Sequence, residues 1–240
     1  MNVQELLYTV REDFLDDTES PYRWGAASLL RWLNRAVVEA CRRQRLLVDE
    51  DTPALTGVPL VFGTPTYTLD PRTHIVDRVV YDQRTIPKAT KAELDRKMPA
   101  WRELEPGEPM FYLQNDLTIR PIPAPAQAQD GQILTLRVWR LPLAELVDDT
   151  DIPEIPEAYH EDLCSYVAAR AFMKPDEDLK VSGLGDKYMA EFDSTFGPPM
   201  SADVLAHKRR EGGTSWVGPS HAYHGRKSTH IPGRNPFDFE

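Results

Sequence analysis

The sequence contains few cysteines and no long apolar run. Its 240 residues include two cysteines, Cys41 and Cys164, which both fall on apolar faces of predicted helices. No run approaches the roughly 18 apolar residues that a membrane-spanning helix requires, so none is predicted. The N-terminal residues include several acidic side chains and no apolar signal region. Without a secretory signal, we expect folding in a cytoplasm and two buried thiols rather than a disulfide.

The motifs of common enzyme and metal sites are also missing. The sequence has no phosphate-binding loop, no nucleophile elbow, no HExxH and no CxxC. His160 with Cys164, His221 with His224, and the acidic run 148–154 are partial metal patterns that lack further ligands. A core His–Cys pair and an exposed acidic linker explain them more simply. We therefore predict no catalytic, cofactor-binding or metal site.

Basic residues are outnumbered by acidic ones, 28 to 38, which gives a net charge of −10. This balance argues against a dedicated nucleic-acid-binding protein, because such proteins concentrate positive charge against phosphate. It is compatible with a surface along which DNA slides without sticking. Proline is abundant, with 21 residues, and its concentration between residues 53 and 156 predicts a turn-rich middle region.

The clearest helical period in the chain lies within residues 22–43. One face is apolar and consists of Leu29, Leu30, Leu33, Val37, Ala40 and Cys41. The opposite face carries Arg31, Arg35 and Arg42, with Val38 among them. Such a face indicates contact with a neighbouring chain, although a scattered surface valine is the simpler alternative. No capping side chain precedes the helix except Ser28, so its start is predicted to be poorly capped or late.

Residues 3–16 predict a first helix with an acidic side. Its apolar stripe is separate from Glu5, Glu12 and Asp16. These three carboxylates are candidates to pair with the basic stripe, either within one chain or between chains. Exposed ion pairs of this kind contribute little stability but can fix the register of a contact.

Strand patterns occupy the middle of the chain, between about residues 55 and 147. Alternating residues predict strands near Tyr67 and from Ile75 to Tyr81, a hairpin around Asn115-Asp116, and a last strand through Leu136. Thr90 and Glu93 form a capping box that predicts a short helix to about residue 98.

Helices return after Pro156, and a weaker helical segment spans 176–196, where Gly183 and Gly185 are expected to interrupt it. We therefore predict an α+β fold. Residues 1–50 and 151–200 form an antiparallel bundle of two N-terminal and two C-terminal helices. Residues 51–150 form an inserted β-rich unit.

The last forty residues, 201–240, show no helical period and predict an extended C-terminal arm. Aromatic residues recur singly in this segment, together with basic side chains. We interpret it as an arm that lies on a partner chain and uses these side chains as anchors, and the alternative is a disordered tail. The candidate anchors are Trp216, Tyr223, Arg226, Phe237 and Phe239.

Several segments together carry a resemblance to a known group. They are Tyr22-Arg23-Trp24, the stretch 29–36, Tyr67-Thr68-Leu69-Asp70, Gly107-Glu108-Pro109 with Tyr112, the stretch 117–123, Ile155-Pro156, Tyr159-His160 and Leu163. In order and spacing, residues 1–200 resemble the head-to-tail adaptor or connector proteins of tailed bacteriophages, the tail tubular protein A-like group.

The resemblance implies a structural virion protein rather than an enzyme. Such adaptors form a homo-oligomeric ring, commonly of twelve copies, in the neck between the portal of the capsid and a tail or nozzle protein. DNA passes through the ring without specific binding, no membrane is involved, and assembly takes place in the host cytoplasm. Another tail component, such as a tail-tube or baseplate subunit, is the alternative. An enzyme with an undetected site and DNA binding through the arm are weaker alternatives.

Overall fold

The computed structural model describes residues 1–174 and 183–211 of the chain. Its α-helices are α1 (Val3–Thr9), α2 (Ala26–Gln44), α3 (Pro53–Thr56), α4 (Lys91–Lys97), α5 (Asp162–Phe172), α6 (Leu184–Phe196) and α7 (Ala202–Glu211). A π-helical stretch, Val10–Leu15, continues α1, and 3₁₀ turns occupy Gln127–Gln129 and Glu157–Tyr159. Within these residues no helix has both the length and the apolar character needed to cross a bilayer.

The ends of the first two helices follow from local hydrogen bonding. The Asn2 side chain accepts from the backbone N–H of Glu5 at 2.8 Å, and the Glu5 carboxylate accepts from that of Asn2 at 2.9 Å. This reciprocal capping box fixes the start of α1. Helix α2 follows Gly25, which provides no side-chain cap, and ends at Arg45 in the left-handed conformation. The predicted poor cap of α2 is confirmed.

Four helices share one hydrophobic cluster. Five of the six predicted apolar residues of α2, including Leu29, Leu33 and Val37, are buried in it, as are Val3, Leu6 and Val10 of the first helix. The sixth, Leu30, is only half-buried. Helices α5 and α6 contribute the rest, and they include an aromatic pair, Phe192 and Phe196, whose rings lie 4.6 Å apart. The antiparallel arrangement of the four helices as a bundle stays a prediction.

The strands form two antiparallel sheets. They are β1 (Leu47–Asp49), β2 (Gly57–Pro59), β3 (Tyr67–Thr68), β4 (Thr73–Tyr81), β5 (Arg84–Ile86), β6 (Phe111–Asn115), β7 (Thr118–Ile122) and β8 (Ile133–Arg140). In the larger sheet the order is β1-β8-β4-β5, with β2 paired to the other end of β8. The smaller sheet has the order β3-β7-β6. This mixture of helices and antiparallel sheets confirms the α+β class.

Local signals for the β region are confirmed. Thr90 and Glu93 make both bonds of the predicted capping box at the start of α4. Strands β6 and β7 pair around the predicted Asn115-Asp116 turn, where Asp116 has a positive φ of 52°. Residues of β8 alternate as expected, since Leu134, Leu136 and Val138 are buried. Strand β1 already joins this sheet before residue 51, because Leu47 pairs with Arg140.

The segment around Gly183 and Gly185 differs from the prediction. Gly183 precedes α6 with a φ of 100°, so it marks the start of the helix rather than a break inside it. Gly185 lies within α6, where a Cβ atom would come within 2.8 Å of Met173 Cγ. It therefore allows α6 to approach the end of α5 closely. Residues 175–182 of the predicted segment lie outside the described residues.

The predicted extended segment after residue 200 is wrong for residues 202–211, which form helix α7. This helix packs against β6 and β4 through Arg209, a buried arginine. The Arg209 guanidinium donates to the carbonyl oxygen of His74 at 2.7 Å and forms an ion pair with Asp116. A separate contact involves the backbone of Arg209, whose carbonyl oxygen, near the C-terminal end of the helix, accepts from the Lys88 ammonium group. These contacts join residues more than 90 positions apart, which a local pattern cannot reveal.

Candidate assembly surface

The outward face of α2 lines a groove of about 990 Å³. The segment 141–154 forms its other wall. All four residues predicted for the basic stripe, Arg31, Arg35, Val38 and Arg42, line this groove. They face away from the buried side of α2, as the helical period predicts. The structure therefore places the predicted stripe on a concave surface rather than a flat one.

The opposite wall is held to α2 by Asn34. The Asn34 amide donates to the Leu146 carbonyl oxygen at 2.8 Å and accepts from the Leu146 N–H at 2.7 Å. One side chain thus satisfies both backbone groups of a residue in an irregular segment. The wall consequently has a fixed position relative to the helix.

Two carboxylates tie the wall to itself and to the sheet. Asp151 accepts from the backbone N–H groups of Val147 and Asp148 at 2.7 and 2.9 Å, and these bonds hold the pKa of Asp151 below its usual value. Glu154 accepts from the Leu143 N–H and pairs with Arg140 at 2.5 Å. Both carboxylates have structural partners and are not positioned as free acid–base groups.

Exposed apolar side chains line the groove. Val147 is 69% exposed and Ile152 is 62% exposed, both on the 141–154 wall. Across from them, Leu30 and Val38 of α2 are half-buried. Apolar groups concentrated in a concave surface beside charged groups are typical of a contact surface for another chain.

The charges in the groove are unevenly engaged. Its lining has four arginines and four carboxylates. Asp151 and Glu154 have the partners given above, and Glu39 is paired with an arginine. Arg42 pairs with Glu39 at 3.1 Å, and Arg31 reaches only the Ser28 hydroxyl at 3.4 Å. Arg35 is exposed and makes no ion pair within residues 1–174 and 183–211. The α2 side of the groove thus keeps positive charge available.

The predicted acidic stripe lies on the exposed side of the first helix. Glu5, Glu12 and Asp16 are all exposed. Glu5 also closes the capping box of α1, and Asp16 ends the π-helical stretch in a left-handed conformation with φ of 49°. The stripe is interrupted by an aromatic side chain, Tyr8, which is 63% exposed.

The acidic and basic stripes do not meet within one chain. Among the described residues, no ion pair joins Glu5, Glu12 or Asp16 to any arginine of the groove. The first turn of α1 is instead tied to the groove wall itself, since the N–H groups of Val3 and Gln4 donate to the carbonyl oxygens of Asp151 and Asp149. The described residues thus show no such pairing within a single chain, and the pairing between chains stays a prediction.

The two cysteines and His160, which belong to a partial metal pattern, lie in the protein interior. Cys41 and Cys164 are free and buried, as predicted, and burial raises the pKa of each thiol to about 12. The Cys164 thiol donates to the Leu6 carbonyl oxygen at 3.8 Å, while His160 Nε2 lies 2.9 Å from the Ile155 carbonyl oxygen. In the described part of the chain, no group of three potential ligands is arranged to hold a metal ion.

The proposed anchors of the arm lie outside the described residues. These are Trp216, Tyr223, Arg226, Phe237 and Phe239. The sequence reasoning, in turn, missed the 141–154 wall and the side chain that fixes it, Asn34. One signal was available. Asn34 is the only amide within the apolar and basic positions 29–38 of α2, and the stretch 141–147 is rich in apolar residues without a regular period.

Within the described residues, a fixed concave surface and two oppositely charged faces are typical of the class of proteins that assemble with other chains. The comparison with protein families agrees with this class. The model of the SU10 adaptor protein family matches residues 1–212. The chain therefore belongs to the SU10 adaptor protein family, and the resemblance to phage head-to-tail adaptors is confirmed. It is a structural adaptor protein, a component of the phage virion. No individual curated protein matches the sequence.

Proposed function

We propose that this chain is the subunit of a head-to-tail adaptor ring, of roughly twelve copies, between the portal and the tail. A closed ring built from one kind of subunit requires two different, complementary faces on each copy. The observation that carries the proposal is the groove on the outward face of α2, which combines arginines with exposed apolar side chains. The acidic face of the first helix, with Glu5, Glu12 and Asp16, is the complementary face.

The remaining parts of the chain suit this role. The net charge of −10 favours a channel wall along which DNA moves without specific binding. The segment after α7, with its spaced aromatic residues, is the candidate clasp for the portal or a neighbouring subunit. The tail or nozzle protein is the partner at the other end. A tail-tube or baseplate subunit is the second candidate, because such subunits also form rings from two complementary faces.

The substitution Arg35→Glu tests the subunit interface. Arg35 is exposed and makes no ion pair within the described residues, so we expect the variant to remain folded. The chain concentration at which half of the chains are assembled should rise by about tenfold or more. Ring formation is measured by light scattering, and folding by circular dichroism.

The matched control is Arg96→Glu, which makes the same charge change on an exposed position of α4, outside the groove. This control is expected to assemble like the wild type. Unchanged assembly of the Arg35→Glu variant, or equal loss in both variants, would count against the proposed interface.

A further inference from the structure

The exposed face of α1 presents an aromatic ring between two carboxylates. Tyr8 lies three residues after Glu5 and four before Glu12, so the three side chains share one face of the helix. The Glu12 carboxylate, as hydrogen-bond partner of the Tyr8 hydroxyl, raises the pKa of Tyr8. Tyr8 is 63% exposed in the centre of this charged face, so its ring is available for contact with another chain.

The groove beside α2 has the complementary composition. Its apolar side chains, Val147 and Ile152, stand exposed at the wall, while Arg31 and Arg35 stand on the α2 side without an ion pair among the described residues. The groove therefore offers an apolar surface for an aromatic side chain and two cations for the carboxylates that flank it. Tyrosine is also among the residues that most often dominate the free energy of binding at protein interfaces.

We propose that Tyr8 of one copy seats in the groove of the next copy, against Val147 and Ile152, with its flanking carboxylates beside the arginines of α2. This inference rests on the proposed ring and assigns the residue that anchors it. The occupant comes from a second copy because the first turn of α1 is already hydrogen-bonded to the wall of its own chain. The backbone N–H groups of Val3 and Gln4 donate to Asp151 and Asp149 at 2.9 Å, and insertion within one chain would break these bonds.

Cysteine cross-linking tests the contact directly. The variant with Tyr8→Cys and Ile152→Cys places one thiol on each proposed partner surface, and the two native cysteines are buried. On oxidation of the assembled full chain, we expect a ladder of covalent oligomers on a non-reducing gel. The control pairs Phe62→Cys with Ile152→Cys, since Phe62 is an exposed aromatic residue, 51% exposed, outside the groove lining. Because Tyr8→Cys removes the proposed anchor, oxidation is carried out at a concentration at which light scattering shows that the variant assembles. No ladder in the assembled test variant, or an equal ladder in the control, would overturn the inference.

Alanine variants measure how strongly Tyr8 contributes. Tyr8→Ala is expected to raise the half-assembly concentration by about tenfold or more, while Tyr8→Phe, which keeps the ring, changes it by only a few fold. Phe62→Ala is expected to assemble like the wild type. Circular dichroism of each variant checks that the fold is intact.

The outcomes separate this inference from the proposed function. If Tyr8→Ala assembles normally while Arg35→Glu loses assembly, the Tyr8 contact is overturned and the proposed interface at the α2 groove is retained. Loss of assembly in the full chain carrying Phe237→Ala and Phe239→Ala, with normal assembly of Tyr8→Ala, would make the C-terminal segment the occupant and also overturn the inference. A wild-type chain that forms no ring, alone or with a portal, would refute the proposed function itself.

Discussion

At the scale of single residues, a few polar side chains fix the geometry on which the account depends. Asn34 holds the wall of the groove across 112 positions of sequence, and Arg209 holds α7 across 93 positions to Asp116. The faces of α2 were predictable because helical spacing alone decides which side chains share a face. The partners of Asn34 and Arg209 were not predictable, because hydrogen bonds between distant segments leave no local pattern.

His74 is a buried residue whose charge state affects stability. Burial, with Arg209 close by, lowers the pKa of His74 from 6.5 to about 4, while its Nε2 lies 3.1 Å from the Arg42 carbonyl oxygen. The imidazole is therefore neutral in the folded protein at pH 7. Since the unfolded chain takes up a proton near pH 6.5 and the folded chain only near pH 4, stability that is present above pH 6.5 is lost as the pH falls through this window.

We predict that His74→Gln makes the folded protein less sensitive to acid. Between pH 7 and pH 4.5, the wild type should lose about 1–3 kcal/mol more of its free energy of unfolding than the variant, because glutamine does not titrate. The measurement is urea denaturation at both pH values, compared as a difference so that any lost hydrogen bond cancels. Equal pH dependence in both proteins would show that His74 titrates normally.

At the scale of elements, the turns and caps specified within a few residues were predicted, and the elements held in place by distant residues were not. The capping box of α4 and the β6–β7 hairpin were predicted because each is specified within a few residues. Helix α7 was missed because its sequence has a weak apolar period, and its position depends on Lys88, His74 and Asp116 in the β region. The 141–154 wall was missed for the same reason, since it has no regular period.

Arg209→Ala is predicted to release α7 from the sheets. The substitution removes the ion pair to Asp116 and the bond to the His74 carbonyl oxygen, both made by the buried side chain of the helix. Hydrogen exchange of the amides in 202–211 should become at least tenfold faster, while α2 and α5 keep their protection. Arg210→Ala, at an exposed neighbouring position, is the control and should leave exchange unchanged. Slow exchange in the Arg209 variant would mean that other contacts dock the helix.

At the scale of the whole molecule, composition and order of elements indicated more than any single motif. The resemblance, carried by the order and spacing of segments over residues 1–200, implied a structural protein, and the match over residues 1–212 shows the family. The shape of the assembly surface was beyond the sequence, because the groove arises where α2 meets a segment more than 100 positions away. The two-faced subunit is consequently a proposal that rests on the described surface.

The most direct test of the proposed adaptor ring is the mass of the purified chain by light scattering, first alone and then mixed with a portal ring. An adaptor subunit is expected to join the portal in one fixed, high multiple, and Arg35→Glu is expected to weaken this association. A closed ring that forms alone and does not bind the portal would favour a tail-tube subunit instead. A chain that stays monomeric and ignores the portal would contradict the adaptor ring.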